Sequence, residues 1–418
     1  MLPAGPSEAP AIQTVRWLAR PIAFMESCRR RYGDTFTVMF RGFRTPLVMV
    51  SSPSALRALY GDPSHGLPPG RTVTLGPLVG ARSLLLLEGA DHLSRRRVML
   101  PPFHGSRMRA YEEVVAAEAA RELDSWPVGR PFAVHPRMQA LTLRVILRAV
   151  FGVVSPEAGP LHALLRDLLA TTVSTQLQVS VLFGRRRPLE RLGEMAVSID
   201  ALLLAEIARR RASPGDDICS LLVAARFADG TAMSDREVRD QLMTLLLAGH
   251  ETTATGLAWT FDLLTRNVAE VERARAGGDV YLRAVVAESL RLRPVVPIAG
   301  RRLAAPLSID GMELPAGTDV TPAIWLAHTR PASYPDPYAF RPARFLDAPP
   351  STYAWIPFGG GVRRCLGAAF AEMEMRVVLG AVLERFDLRG ASARAERVAR
   401  RNVTFSPRHG TRVVATPR

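Results

Sequence analysis

One decapeptide constrains this chain more than any other part of it: Phe358-Gly359-Gly360-Gly361-Val362-Arg363-Arg364-Cys365-Leu366-Gly367, followed by a helical run over Ala368–Leu383. Three glycines let a backbone bend sharply and approach a flat ligand closely. The cysteine then falls at a helix N-terminus, where partial positive charge and free N–H groups favour a thiolate. A phosphate loop would need Gly-Lys-Ser/Thr, which is absent. Burial as a structural residue is the commonest fate of a lone cysteine, but it would not need this glycine approach.

The surrounding pattern is mostly helical. Two strands, Asp34–Phe40 and Thr45–Val50, read as a hairpin turning at Arg41-Gly42. Helical spacing then covers Tyr111–Trp126, Leu141–Phe151, Leu161–Leu177, Leu189–Ala212 and Ile218–Phe227. Ser234-Asp-Arg-Glu237 is a capping box, and the helix it opens continues to about Arg266. At 1.5 Å per residue that helix is roughly 48 Å long, enough to cross a domain. Strand-like pieces return at Val295–Ala299, Leu303–Ile309 and Val320–Ala323. No repeat or linker divides the chain, so residues 1–418 are expected to form a single domain, mainly α with a small β region.

Midway along the long helix stands Ala248-Gly249-His250-Glu251-Thr252-Thr253. Polar residues with two Thr suit the centre of a buried helix poorly. A Thr252 hydroxyl can bond the Ala248 carbonyl and open the helix locally. The bland alternative is a water-filled kink without catalysis, but a kink needs no acid. A zinc helix is excluded, since position 254 is Ala where His-Glu-x-x-His needs its second His. His250 is a spacer on this reading. Further on, Glu288 and Arg291 share one helix face in an apolar setting ending at Pro294. Exposed, such a pair contributes little; buried, it needs further hydrogen bonds. His92 and Arg96 are spaced i, i+4, which alone suggests two exposed polar residues.

Together these residues resemble the cytochrome P450 family, through Phe-x-x-Gly-x-Arg/His-x-Cys-x-Gly, Glu-x-x-Arg and Ala-Gly-x-Asp/Glu-Thr-Thr. The likeness extends from Tyr32-Gly-Asp to Phe405-Ser-Pro-Arg-His-Gly, and Ser83–Glu88 and Pro101-Pro-Phe-His-Gly fit as in bacterial members. The resemblance implies the cytochrome P450 fold, with haem b (iron protoporphyrin IX) between two helices. It implies that Cys365 is the axial iron ligand, a thiolate that favours O–O cleavage. Phe358 would pack beside the sulfur, Gly361 and Gly367 would allow the turn, and Arg363 would contact a haem propionate. His92 and Arg96 would hold a propionate as well. Arg301 would do the same from its place ten residues before Gly311, with the adjacent Arg302 as the alternative. Glu251 and Thr252 would pass protons to dioxygen. Arg344, in Phe340-Arg-Pro342-Ala-Arg344-Phe345, would complete a structural triad with Glu288 and Arg291.

The implied activity is that of a monooxygenase, an oxidoreductase inserting one atom of O2 into a C–H or C=C bond. Electrons would come from a separate ferredoxin or flavodoxin with its reductase, and no fused reductase is expected. The substrate-lining segments by family position are Arg71–Leu87, Ala170–Phe183, Leu245–Ala248, Val295–Ala299 and Val403–Phe405. Their apolar character implies a hydrophobic small molecule such as a fatty acid, terpene, steroid or other natural product. A peroxide-driven peroxygenase and a non-catalytic haem-binding sensor are the alternatives, and the Glu251–Thr252 pair argues against both.

Composition closes off other classes. With 48% hydrophobic and 22% charged residues the chain can bury a large core. No apolar run reaches 18 residues, and the opening MLPAGPSEAP lacks a basic segment before an apolar one. Neither signal peptide nor membrane anchor is expected, and three scattered cysteines, Cys28, Cys219 and Cys365, suit a reducing cytoplasm. The net charge is +15, and every one of the 54 basic side chains is Arg. Those arginines are dispersed, so nucleic-acid binding is not expected, and the runs at 29–31, 185–187 and 209–211 read as solvated helix ends. Arg95, Arg97, Arg364 and Arg376 are expected to face an acidic electron donor.

Overall fold

The computed structural model describes residues 2–67, 76–105, 107–152, 159–172, 187–346, 351–401 and 403–418. The predicted segments 71–75, 173–183 and the arginines at 185 and 186 lie outside the described residues. The chain divides into two compact units, each assembled from separated segments. One comprises 1–70, 259–368 and 396–408; the other comprises 71–258, 369–395 and 409–418.

In the first unit the hairpin strands Thr35–Val38 and Leu47–Val50 pair antiparallel, Thr35 opposite Val50. Leu47–Val50 then pairs in parallel with Asp319–Pro322, which takes Arg301–Arg302 on its far side. All four residues of Leu47–Val50 are buried, as suits a continuous apolar run covered on both faces. Helices Pro10–Ala19 and Pro21–Tyr32 bury Trp17, Phe24 and Met25 against Phe36, Phe40, Trp325 and Phe405. Helix Pro53–Gly61 is capped by Ser52, whose Oγ accepts from the Ala55 N–H at 3.1 Å, and it ends on the buried Tyr60. Helix Val268–Leu292 is interrupted at Gly278, whose φ of 53° only glycine adopts readily.

The second unit is built on helices Gly89–Met99, Arg107–Asp124, Val134–Phe151, Pro160–Thr172, Arg187–Ala212 and Ile218–Ala224. Residues 235–258 of the long helix and 369–385 of the helix after the cysteine loop join them. Arg144 ties helices Arg107–Asp124 and Val134–Phe151 by bonds to Glu118 (2.9 Å) and Glu122 (2.8 Å), all three buried. Strand Arg412–Pro417 lies between Phe132–Ala133 and Phe386–Gly390.

The long helix spans Asp235–Arg266 as the capping box predicts, with Glu237 N–H donating to Ser234 Oγ (3.2 Å) and Ser234 N–H to Glu237 Oε2 (3.1 Å). Its expected opening at Ala248–Thr253 is absent, for the segment is α-helical throughout. Thr252 does donate to the Ala248 carbonyl (2.8 Å), but that oxygen has two lone pairs and serves both bonds. Other expectations shift too. Val295–Ala299 forms no strand, only one bridge between Ile298 and Ala323, because Pro294 and Pro297 lack N–H donors. The solvated-run reading fails for Arg210, which is buried on Asp217 (2.6 Å) and the Phe151 carbonyl, and for Arg29, which donates to the Leu326 carbonyl (2.9 Å).

Candidate functional site

In the first unit the cysteine loop is suspended from a buried ionic cluster. Arg291 makes a two-pronged bond to Glu288 (2.6 and 2.8 Å), and neither side chain is exposed at all. Its remaining N–H groups reach the carbonyls of His328 (2.8 Å), Pro337 (2.7 Å) and Ala339 (3.2 Å). Arg344 reaches Glu288 at 3.1 Å, closing the triad. His328 relays this anchorage. Its Nε2 accepts the Ile356 N–H (2.9 Å), so its Nδ1 carries the proton and donates to the Arg291 carbonyl (3.1 Å). Burial pushes this imidazole down to about 3, so it stays neutral.

From Ile356 the chain turns tightly. Gly359 N–H bonds the Ile356 carbonyl (3.0 Å), and Gly359 and Gly361 both have positive φ, 68° and 63°. A Cβ at Gly360 would fall 2.5 Å from the Tyr60 ring, and one at Gly361 would fall 2.6 Å from the Tyr60 carbonyl oxygen. The glycines thus admit the end of helix Pro53–Gly61. Cys365 N–H returns to the Phe358 carbonyl (2.9 Å), fixing the residue where helix Ala368–Arg385 is about to begin. Its side chain is exposed. Cys28 and Cys219, by contrast, are buried, and desolvation pushes their thiols up to about 11 and 12. Phe358 meets Trp355 edge-on with ring centres 6.1 Å apart, and Phe358 and Arg363 are half-buried.

Arg301 belongs to the same unit and is separated from Arg302 by strand alternation. Arg302 is held by Asp319 through two bonds (2.8 and 2.9 Å). Arg301 is buried, lies over the Tyr60 ring at 5.9 Å, and has no carboxylate partner among the described residues. Burial lowers its affinity for the proton, which an anion alongside would restore. Of the two adjacent arginines, Arg302 is therefore paired with a carboxylate and, among the described residues, Arg301 is not.

In the second unit Glu251 and Thr252 occupy successive half-buried positions of the long helix. Helix Val134–Phe151 faces them with His135, Gln139 and Thr142, spaced along one side. Gln139 Nε2 donates to Glu251 Oε2 (2.5 Å), His135 Nε2 lies 3.6 Å from Glu251 Oε1 and 3.0 Å from Thr255 Oγ1, and Thr142 donates to the His250 carbonyl (3.0 Å). Gly249 leaves room for Ile146, 3.2 Å from where a Cβ would be. His250 is buried and pushed down to about 4 by desolvation. Thr253 bonds Glu374, nine residues after Cys365, whose complete burial pushes its carboxyl up to about 8. His92 is buried and Arg96 half-buried on helix Gly89–Met99 of the same unit.

Tyr60, His135, Gln139, His328 and Glu374 did not stand out in the sequence. Only Glu374 leaves a local signal, as a carboxylate interrupting the apolar run Ala368–Leu383. Two expected docking arginines are already engaged: Arg95 with Asp91 and Glu237 (2.8 Å each), Arg376 with Glu112 (2.6 Å). Arg97 and Arg364 are exposed.

Comparison with known proteins places this geometry. Residues 3–406 match the cytochrome P450 family model. The chain is 41% identical over 99% of its length to the protein named "Putative cytochrome P450 135B1" of Mycobacterium tuberculosis (strain ATCC 25618 / H37Rv), covering 91% of that relative. It is 39% identical over 97% of its length to "Putative cytochrome P450 137" of the same strain, covering 88% of it. Among solved structures it resembles retinoic acid-bound cyanobacterial CYP120A1, with TM-score 0.84, 25% identity and coverage of 100% of this chain and 99% of that one. The cytochrome P450DA heme domain aligns with TM-score 0.87 and 22% identity over 100% and 98% of the two chains, a likeness of fold.

Proposed function

This chain belongs to the cytochrome P450 family, a haem b monooxygenase by that membership, and from that premise we propose which of its residues do the work. The residues present fit the cofactor. An exposed cysteine at a glycine turn suits an iron-binding thiolate, and a buried guanidinium lacking a carboxylate suits a propionate. When bound, haem b supplies the electron chemistry that activates O2 for insertion into substrate.

The protein's share is positioning and proton handling. Cys365 provides the thiolate, held by its N–H bond to Phe358 and by the anchorage running through His328 to Glu288 and Arg291. Phe358, Gly361 and Gly367 shape the turn. Arg363, Arg301, His92 and Arg96 bind propionates. Glu251 is the proton donor of the site, kept in place by Gln139, and Thr252 orients the proton it passes. The substrate is a hydrophobic small molecule of the fatty-acid, terpene or steroid kind; the apolar segments Leu245–Ala248 and Val295–Ala299 support this, as does the retinoic acid bound to one structural relative. Electrons arrive from a ferredoxin or flavodoxin, with exposed Arg364 beside the cysteine as a docking cation. No described helix is long and apolar enough to cross a membrane.

The observation that carries this reading is the exposed Cys365 on its glycine turn. The reduced protein with carbon monoxide should show the red-shifted Soret band of thiolate ligation, and Cys365→Ser should abolish it. If that variant keeps the band, the ligand is another residue. Thr252→Ala should retain the band but divert electrons from product to peroxide; unchanged coupling would remove Thr252 from proton delivery.

A further inference from the structure

Three buried hydrogen-bond donors of the first unit are poorly matched by acceptors among the described residues. Tyr60, His65 and Arg301 are 7%, 6% and 7% exposed. The Tyr60 hydroxyl and His65 Nε2 have no hydrogen-bond partner among the described residues. His65 Nδ1 accepts the Ala304 N–H at 3.4 Å, which leaves the imidazole proton on Nε2. Asp62 is 3.7 Å from that nitrogen, beyond bonding distance, and its other oxygen accepts the Ser64 N–H (2.8 Å). Among the described residues Arg301 donates only to the carbonyl of its neighbour Gly300 (2.9 Å). Buried polar groups are nearly always satisfied, so two orphan donors beside a buried guanidinium that lacks a carboxylate need a reason.

The fold gathers them deliberately. Backbone bonds in both directions between Gly66 and Arg302 (2.9 and 3.0 Å) form an antiparallel bridge that sets His65 opposite Leu303, diagonally across from Arg301 on the same face. Strand alternation turns Arg302 away onto Asp319 and leaves Arg301 over the Tyr60 ring. Gly360 and Gly361 press on the same tyrosine, so the cluster borders the cysteine loop.

We propose that Tyr60, His65 and Arg301 form one carboxylate-binding pocket, with the phenol O–H, the imidazole Nε2–H and the guanidinium as its donors. Donors without acceptors reject a cation, and a planar guanidinium flanked by two neutral donors matches a carboxylate. The carboxylate belongs to a haem propionate or to an acidic substrate. This inference rests on the assignment of Arg301 as an anion-binding residue and adds Tyr60 and His65 to it.

The test uses haem-loaded protein and reads haem transfer to apomyoglobin. Tyr60→Phe and His65→Asn should each speed haem loss about three- to tenfold, the range for one net hydrogen bond. His65→Asn keeps an acceptor for Ala304 but removes the Nε2 donor; His65→Gln restores a donor there and should recover the parent rate. Circular dichroism of the apoproteins controls for folding. A second arm titrates dodecanoate against dodecanol, read by the haem spin state. Faster haem loss assigns the pocket to a propionate. Weakened dodecanoate binding with unaltered dodecanol binding and haem loss assigns it to a substrate carboxylate. No change in either arm overturns the pocket. Should Arg301→Ala alone speed haem loss, only the added residues fall; should Arg301→Ala also do nothing, the assignment of Arg301 falls with them.

Discussion

Arg291 and Arg301 lie in the same unit, both buried and both facing a tyrosine ring, Tyr334 at 4.8 Å and Tyr60 at 5.9 Å. Their surroundings could hardly differ more. Arg291 spends its donors on Glu288 and three carbonyls, all from the protein. Arg301 has one local carbonyl and two neighbouring orphan donors. A buried cation whose shell the chain itself completes is a structural fastening. One whose shell is left open marks a place the protein reserves for something it does not encode.

Opposite responses to removing the charge would confirm that contrast. Arg291→Leu should cost about 3–5 kcal/mol, because it leaves Glu288 buried with its main counter-charge gone. Urea unfolding should show this loss equally with and without haem. A loss confined to the haem-loaded protein would mean that the Arg291 cluster serves the cofactor and not the fold.

Arg301→Leu comes next in size and should split the two states. Without haem the variant should be as stable as the parent or more so, since an unpaired buried charge has been removed. With haem, retention should fall roughly ten- to hundredfold, the worth of a charge-assisted bond. Equal destabilisation of both states would make Arg301 another fastening and erase the contrast.

The second unit offers an intermediate case, an acid held by a neutral amide. Gln139 fixes Glu251 at 2.5 Å, but both residues are only partly buried. Gln139→Leu should therefore cost the positioning of Glu251 about 1 kcal/mol, or roughly fivefold in a proton-limited rate. Peroxide release during turnover with a surrogate ferredoxin, measured in light and heavy water, would read it. Gln139→Leu should shift the isotope effect in the same direction as Glu251→Gln, by less. An unchanged isotope effect would make Gln139 a packing residue.

These contrasts explain what could be read in advance. The long helix was legible at both ends, since Ser234 and Glu237 cap it locally and its apolar spacing is strong. The cysteine turn was legible because three consecutive glycines are written there, and two of them, Gly359 and Gly361, do adopt positive φ. Helix Val134–Phe151 begins seven residues before the expected Leu141, because His135 and Gln139 break the apolar spacing while facing another helix. That Arg302 is already paired could not be read in advance, because Asp319 is brought near only by strand pairing. Arg95 and Arg376 looked available for docking until partners far along the chain, Glu237 and Glu112, were placed beside them. Motifs advertise local geometry; whether a charge is already satisfied depends on segments that sequence distance hides.

The smallest effect concerns pH, and it separates closed surroundings from open ones by titration. His328, fastened to the Arg291 cluster, and His250 of the other unit are pushed by burial to about 3 and about 4. Each must stay neutral to remain in place, while the unfolded chain protonates below about 6.5, so both histidines withdraw stability as pH falls from there. Glu374 acts in the opposite sense. Its carboxyl is raised to about 8, so the folded protein keeps a proton that the unfolded chain has lost above about 4.5, and stability declines as pH rises towards 8. Between about 4.5 and 6.5 two histidines oppose one glutamate, and stability rises with pH. Above about 6.5 the two histidines no longer contribute a slope, and the glutamate's decline remains. Maximal stability of the haem-free protein should therefore lie near pH 6.5, falling by about 1 kcal/mol per unit on the alkaline side. Glu374→Gln should flatten that alkaline limb and leave the acid limb intact, because an amide keeps a partner for Thr253 without titrating. Thermal unfolding from pH 5 to 8 decides it: an alkaline limb that survives Glu374→Gln must come from another group, with Asp262, also raised by burial, the first to substitute.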